Sequence, residues 1–246
     1  MKSKIFGLVG RNISYSFSAG YFKEKFQKLN LENLSYRNFD IEDIDEFTDI
    51  FANNKNLKGL NVTIPYKEEV IPFLDGLSKK AKKIGAVNTI TISKKGKTKG
   101  YNTDWYGFKK ALKPLLKKHH KKALILGTGG AGKAVAFALR DLKIEYDFVS
   151  RAGSEDIFAY TDLTKDIFEE YGIIINTSPL GTHPDVNACP PLDYKLFTGR
   201  HIAFDLVYNP AETMFLRLAK ENGAVVKNGY DMLVFQAEKA WEIWNK

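Results

Sequence analysis

Gly127-Thr128-Gly129-Gly130-Ala131-Gly132 lies near the middle of the chain. It follows an apolar run at residues 123–126 and precedes a helix-forming stretch at 133–140. Strand, glycine turn and helix in that order are the parts of a dinucleotide-binding unit. Gly127 permits the tight turn, Gly129 lets a pyrophosphate approach the backbone, and Gly132 lets the helix pack on the strand. The first N–H groups of the helix and the positive end of its dipole then face the phosphates. The spacing alone also fits an ordinary tight βα turn, but its context favours the nucleotide. The next strand ends Val149-Ser150-Arg151. In an NAD-preferring unit an acid stands about 20 residues beyond the glycines and holds the adenosine ribose hydroxyl. Here no carboxylate stands to repel a 2′-phosphate, and Arg151 can pair with one. This favours NADP, the alternative being that Arg151 is only a surface residue of a turn.

A second polar group lies earlier. Asn61 and Thr63 alternate at the end of a strand-like run, so an amide and a hydroxyl point to one face. Lys67 follows the proline turn at Pro65, Asn88 lies on another strand-like run, and Asp104 follows a third. Open α/β sheets bind ligands at the carboxyl ends of their strands. Taken singly, each has a plain explanation: an Asn closes a turn, a Lys is solvated, an Asp caps a helix.

The elements that must carry these residues alternate along the chain. Residues 4–10, 36–39 and 57–64 read as strands, 18–29 as an amphipathic helix from Phe22, Phe26 and Leu29, and Ile44, Phe47 and Phe51 as a second helix with Asp43 a possible cap. Pro65 fits the first turn of a further helix. Residues 78–84 read as a helix, and 86–93 with 98–101 as a hairpin around Lys95-Gly96. Asp104 is placed to cap a helix over 105–118. Beyond the glycine loop, 145–149, 172–176, 201–207 and 225–226 read as strands, 211–221 and the segment from about Asp231 as helices. Residues 153–171 carry no pattern that decides between strand and helix. The expected fold is α/β: a small α/β domain followed by a doubly wound parallel sheet.

Bulk composition agrees. The chain has 246 residues, 44% hydrophobic and 27% charged, enough for a substantial core in one domain or two. No run approaches the roughly 18 apolar residues of a membrane span, and the short apolar stretch Ile5–Val9 near the N-terminus reads as a first strand rather than a signal peptide. The single cysteine, Cys189, excludes an intrachain disulfide, and no Cys/His cluster has zinc spacing, so no metal is expected and a reducing cytoplasm is. The net charge is +8. Between Lys79 and Lys122 the only acid is Asp104, among many lysines. No aromatic residues alternate with those lysines as a stacking platform requires, so solvated faces are preferred to a nucleic-acid site.

Three stretches in order, Gly59-Leu60-Asn61-Val62-Thr63-Ile64-Pro65-Tyr66-Lys67, Gly85-Ala86-Val87-Asn88-Thr89 and Gly100-Tyr101-Asn102-Thr103-Asp104, resemble motifs of the shikimate dehydrogenase family. The resemblance continues through the glycine loop, Asn176-Thr177-Ser178-Pro179-Leu180-Gly181, Asp205-Leu206-Val207-Tyr208-Asn209-Pro210 and Gly229-Tyr230-Asp231-Met232-Leu233-Val234-Phe235-Gln236-Ala237.

That resemblance implies an NADP-dependent enzyme reducing 3-dehydroshikimate to shikimate on the way to aromatic amino acids. Residues 1–104 with about 230–246 would form the substrate domain, 105–229 a Rossmann-like NADP domain, with a cleft between. Lys67 and Asp104 would be the catalytic pair: a ketone oxygen must gain a proton on reduction, and an ammonium oriented by a carboxylate can give it. Ser16 and Ser18 would hold the substrate carboxylate, and Asn61, Thr63, Asn88, Tyr208 and Gln236 the ring hydroxyls. Gly127, Gly129, Gly130, Ala131, Ser150, Arg151, Thr177, Ser178, Leu206, Gly229 and Met232 match the cofactor side. The serine loop departs from the family in having Tyr15 and Ala19 where His and Pro are usual, Ser150-Arg151-Ala152 replaces Asn-Arg-Thr, and Asp231 stands where glycine is common. The partner expected is a small molecule, for a monomer or homodimer, with neither nucleic acid nor membrane. Relaxed use of quinate and NAD, or a ligand sensor without turnover, are the alternatives.

Overall fold

The computed structural model describes residues 3–14 and 16–246; Tyr15 of the serine loop and the two N-terminal residues lie outside it. The chain divides into two compact units, Met1–Thr103 with Ala237–Lys246, and Asp104–Gln236.

In the first unit, β1 (Lys4–Gly10), β2 (Leu34–Asp40), β3 (Leu57–Val62), β4 (Thr89–Ile92) and β5 (Thr98–Tyr101) form one sheet in the order β2-β1-β3-β4-β5. The first three are mutually parallel, and β4 runs antiparallel to β3 and β5. Helix α1 (Phe17–Lys28) joins β1 to β2, α2 (Phe47–Asn53) precedes β3, and α3 (Lys79–Ile84) precedes β4. Asp43 does act as a cap, but of a 3-10 turn at Ile44–Glu46 that leads into α2. One apolar cluster gathers Val9, Leu57, Leu60, Val62, Tyr66 and Ile90. A second, aromatic cluster joins Phe6, Phe22 and Phe26 to Ala237, Trp241 and Trp244 of the last helix.

Two local expectations need correction. β3 ends at Val62, so Thr63 lies just beyond the strand rather than on it. Residues 64–70 then form successive turns, not a helix starting at Pro65. The reason is a competing bond: Lys67 O accepts from Val87 N at 2.7 Å, so Ile71 N donates to Glu68 O instead of completing a helical turn on Lys67. Tyr66, fully buried, donates its hydroxyl to Ile41 O and ties the segment to the core.

In the second unit, α4 (Asp104–Leu112) ends earlier than expected. Pro114 has no N–H to continue it, and a 3-10 turn follows at Lys113–Leu115. Asp104 is itself the first helical residue. Next come β6 (Lys122–Leu126), α5 (Gly130–Asp141) and β7 (Glu145–Ser150). The undecided stretch contains β8 (Ile157–Ala159), a 3-10 turn and α6 (Lys165–Glu170), all too short to show a period. β9 (Ile173–Asn176), β10 (Ile202–Asp205), α7 (Met214–Glu221), β11 (Val225–Lys227) and α8 (Tyr230–Trp244) complete the chain. α7 starts at Met214 rather than 211 because Thr213 caps it, accepting from Leu216 N.

The second sheet has the order β11-β10-β9-β6-β7-β8, with every pair parallel. Its central strands alternate between two cores: Ala123, Ile125, Ile173, Ile175, Ile202 and Phe204 pack on one side, Leu124, Leu126, Ile174 and Ala203 on the other. Burial on both faces is what a parallel sheet covered by helices requires. The strand order reverses between β6 and β9, the position where such sheets bind ligands.

Candidate functional site

In the first unit the polar candidates collect at the carboxyl ends of β1 and β3 and at the start of β4. Asn61, on β3, is buried: Nδ2 donates to Asn88 O at 3.1 Å and to Thr89 Oγ1 at 3.3 Å, while Oδ1 accepts from the Tyr36 hydroxyl at 2.8 Å and keeps a second lone pair for a ligand hydroxyl. Asn88 sits one residue before β4; its Oδ1 accepts from Thr103 N at 2.7 Å and its Nδ2 donates to Thr103 Oγ1 at 3.0 Å. Thr103 immediately precedes Asp104, which is 3% exposed. Thr63 is half-buried, its N–H donating to Val9 O. Lys67 is also half-buried, and its main chain is pinned beside Asn88 by the bond from Val87.

The serine loop is fixed from β2. Asp40 accepts from Asn12 N at 2.7 Å and Ile13 N at 3.1 Å, and Asn38 donates to Ile13 O at 2.8 Å. Ser16 then stands at the start of α1 with extended backbone, and Ser18 is buried in its first turn. Among the described residues Ser16 Oγ is buried with no hydrogen-bond partner. An unpaired buried hydroxyl costs about 1–3 kcal/mol. A ligand oxygen reaching it recovers that cost, and a carboxylate does so most strongly.

The second unit carries the glycine loop at its switch point. Gly127 has φ 118°, open to glycine and rare for other residues. A Cβ on Gly132 would lie 2.4 Å from Gly127 O, so the helix meets the turn only as glycine. A Cβ on Gly129 would meet nothing within 4 Å, which leaves space for a ligand. Gly130 and Ala131 open α5, whose first N–H groups have no partner within the helix. Across the switch point Thr177 donates its hydroxyl to Leu126 O at 2.9 Å and holds the β9 loop against the glycine turn. This arrangement fits a pyrophosphate: a cradle of N–H groups at the head of a twelve-residue helix, with room above Gly129.

At the end of β7, Ser150 Oγ accepts from Gly153 N at 3.1 Å and shapes the following turn. Arg151 is exposed and makes no ion pair among the described residues, so its guanidinium is available to an anion. Leu206 N donates to Asn176 O, and Gly229 N to Val207 O, which binds the β10 loop to β9 and to the entry of α8. Tyr208 lies half-buried in that loop. Met232 is 6% exposed and packs in the core of its unit. Gln236 lies on α8 where Gly107 of α4 passes closely: a Cβ there would meet Gln236 Cβ at 3.2 Å.

Two groups escape the reading of the sequence. Tyr36 stacks on Phe22 and donates to Asn61, and burial pushes its phenol well above the ordinary value. Alternation along β2 is the signal that finds it, since Tyr36, Asn38 and Asp40 share one face, Tyr36 reaching Asn61 on β3 and the other two the serine loop. Asp205 is fully buried. Burial raises its carboxyl to about 6, against the bonds from Thr213, Val207 and Asn176 that favour the ionised form.

Residues 8–90 match the family of the shikimate dehydrogenase substrate binding domain. A shikimate dehydrogenase (NADP(+)) of Carboxydothermus hydrogenoformans is 38% identical, over 99% of this chain and 92% of that one. The crystal structure of shikimate dehydrogenase from Aquifex aeolicus superposes with a TM-score of 0.87 at 33% identity, covering 99% of this chain and 92% of that one. The shikimate 5-dehydrogenase of Thermus thermophilus, in complex with NADP(H) and shikimate, gives 0.86 at 33% identity, covering 98% and 93%.

Proposed function

The chain belongs to the shikimate dehydrogenase family, and on that premise we propose that it catalyses the reversible NADP-dependent reduction of 3-dehydroshikimate to shikimate. The observation that carries this is a similarity running over 99% of the chain, so that the strand-end polar set and the glycine loop are both covered. NADPH, when bound, supplies the hydride. The glycine loop and the head of α5 hold its pyrophosphate, and Arg151 its 2′-phosphate.

The remaining chemistry belongs to side chains. Ser16 and Ser18 donate to the substrate carboxylate, which gives the orphaned Ser16 hydroxyl its partner. Asn61, Thr63, Asn88, Tyr208 and Gln236 take the ring hydroxyls. A site built for those hydroxyls rejects a ligand that lacks them, because its own polar groups would go unpaired. In the direction of reduction the Lys67 ammonium gives a proton to the carbonyl oxygen as it becomes a hydroxyl. Asp104, in a buried position, orients that ammonium toward the carbonyl oxygen. In the reverse direction the same lysine, neutral, takes the proton from the hydroxyl.

Residues 1–104 with about 230–246 serve the substrate, and 105–229 the cofactor. Among the described residues no helix is long and apolar enough to cross a membrane. The proposed setting is a reducing cytoplasm, where the protein works on small molecules, rather than nucleic acid, as monomer or homodimer.

The test is absorbance at the nicotinamide band, with shikimate and quinate each offered with NADP and with NAD. Turnover of shikimate with NADP alone supports the reading. Turnover of quinate, or equal use of NAD, replaces it with a broader specificity, and binding without turnover replaces it with a sensor.

A further inference from the structure

Asp205 lies at the carboxyl end of β10 and takes no part in the mechanism above, yet it is a fully buried ionisable group beside the switch point. Three donors converge on it: Asn176 Nδ2 at 3.0 Å, Val207 N at 3.0 Å and Thr213 Oγ1 at 2.6 Å. Asn176, at the end of β9, turns its other amide atom to Ser178, where Oδ1 accepts from Ser178 N at 3.1 Å and from Ser178 Oγ at 2.6 Å. An acceptor on one side and a backbone N–H on the other leave the Asn176 amide a single orientation. The hydroxyl of Ser178 has one proton, and Asn176 holds it. What Ser178 Oγ still offers is lone pairs.

We propose that Asp205 is a positioning residue for the cofactor side of the site: it fixes the Asn176 amide, and through it makes Ser178 Oγ an acceptor that takes a hydroxyl or amide donor of the dinucleotide rather than a phosphate oxygen. Phosphate oxygens are acceptors and find no proton at Ser178. A ribose hydroxyl or the carboxamide N–H of the nicotinamide does find a lone pair. The division of labour is chemical: α5 offers N–H groups to the anionic part of the cofactor, and the β9 loop offers an oxygen to a neutral part. The same carboxylate holds Val207 N, so the loop that leads to Tyr208 starts from the same anchor.

The assignment rests on the NADP reading. Its test is titration of the full chain with NADPH, followed by nicotinamide fluorescence, without substrate. In Asp205→Asn the Asn176 amide is free to turn its oxygen toward residue 205, and Ser178 loses its acceptor. Ser178→Ala removes the oxygen itself. Each is expected to weaken NADPH by about tenfold, the scale of one lost hydrogen bond. The two changes combined are expected to weaken it no further, since they break one path. The exchange Asn176→Asp with Asp205→Asn returns an acceptor to Ser178 and is expected to regain most of the lost affinity, which a merely structural role would not produce.

Native affinity in Ser178→Ala overturns the assignment, even where Asp205→Asn fails to fold. Additive losses overturn it, as does an exchange variant no tighter than Asp205→Asn alone. A wild-type chain that does not bind NADPH removes the cofactor reading, and this assignment with it.

Discussion

The phenolic hydroxyl of Tyr36 on β2 donates to Oδ1 of Asn61 on β3 at 2.8 Å, passing over β1, which lies between the two strands. Asn61 hands the chain on to Asn88 O and Thr89, and Asn88 to Thr103. A candidate substrate amide is thus aimed by a tyrosine two strands away. Tyr36→Phe keeps the ring stacked on Phe22 and removes only the donor. It is expected to destabilise the fold by about 1–2 kcal/mol and to raise KM for shikimate about fivefold to tenfold, with KM for NADP unchanged. Urea unfolding and steady-state kinetics check both, and equal changes in the two KM values would contradict the role.

Ser16 offers the opposite balance. Its hydroxyl is buried without a partner among the described residues, so Ser16→Ala removes an uncompensated desolvation cost rather than a bond. The unfolding midpoint is expected to stay level or rise slightly. Affinity for shikimate is expected to fall by roughly 10-fold to 100-fold, the scale of a hydrogen bond to a charged group. Calorimetric titration with shikimate checks this, and a loss of stability with affinity intact would make Ser16 a structural residue.

The two ends of the glycine loop should separate folding from binding. Gly132→Ala drives a methyl to 2.4 Å from Gly127 O and is expected to cost about 1–3 kcal/mol of stability. Gly129→Ala meets nothing within 4 Å, and its φ of −73° suits any residue. That variant is expected to fold with native stability within about 0.5 kcal/mol and to bind NADPH more than tenfold weaker. Thermal melts and NADPH titration of both variants check the contrast.

A pH effect follows from His120. Its Nδ1 accepts from Lys117 N and its Nε2 lies 2.9 Å from Arg200 O, an arrangement that suits the neutral ring. Burial lowers its pKa below 6.5, and the neighbouring His119, Lys117 and His201 act in the same direction. The unfolded chain therefore takes up the proton first as pH falls. This contribution to stability is whole above about pH 6.5 and is lost as pH drops toward the folded value. Asp205, raised by burial, works in the opposite sense, because its folded form binds the proton more readily. The urea midpoint between pH 8 and 5.5 is expected to fall less in His120→Gln than in the wild type, and identical slopes would contradict this.

The glycine loop and the alternation of strand and helix were legible in the sequence because backbone geometry dictates them. Gly127, Gly129 and Gly132 each answer a separate steric demand, and runs such as residues 173–176 are buried on both faces. The turns after Pro65 were not legible, because they depend on Val87, twenty residues from Lys67 along the chain, claiming the Lys67 carbonyl. Helix propensity carries no information about that bond. Asn88 shows the same limit: its side chain is held by Thr103, fifteen residues along the chain. Tyr36 and Asp205 were missed for a different reason. Both act through another side chain, Asn61 and Asn176, so their own residue types announce only a strand.

The most direct test of the account is turnover of shikimate with NADP in the wild-type chain beside Lys67→Ala, with binding of NADPH and shikimate measured on both. The account predicts reduction of NADP by the wild type and a loss of about 10²-fold to 10⁴-fold in kcat for the variant, the range for a positioned proton donor, with both ligands still bound. Normal turnover in Lys67→Ala, or a wild-type chain that binds both ligands and turns over neither, would contradict it.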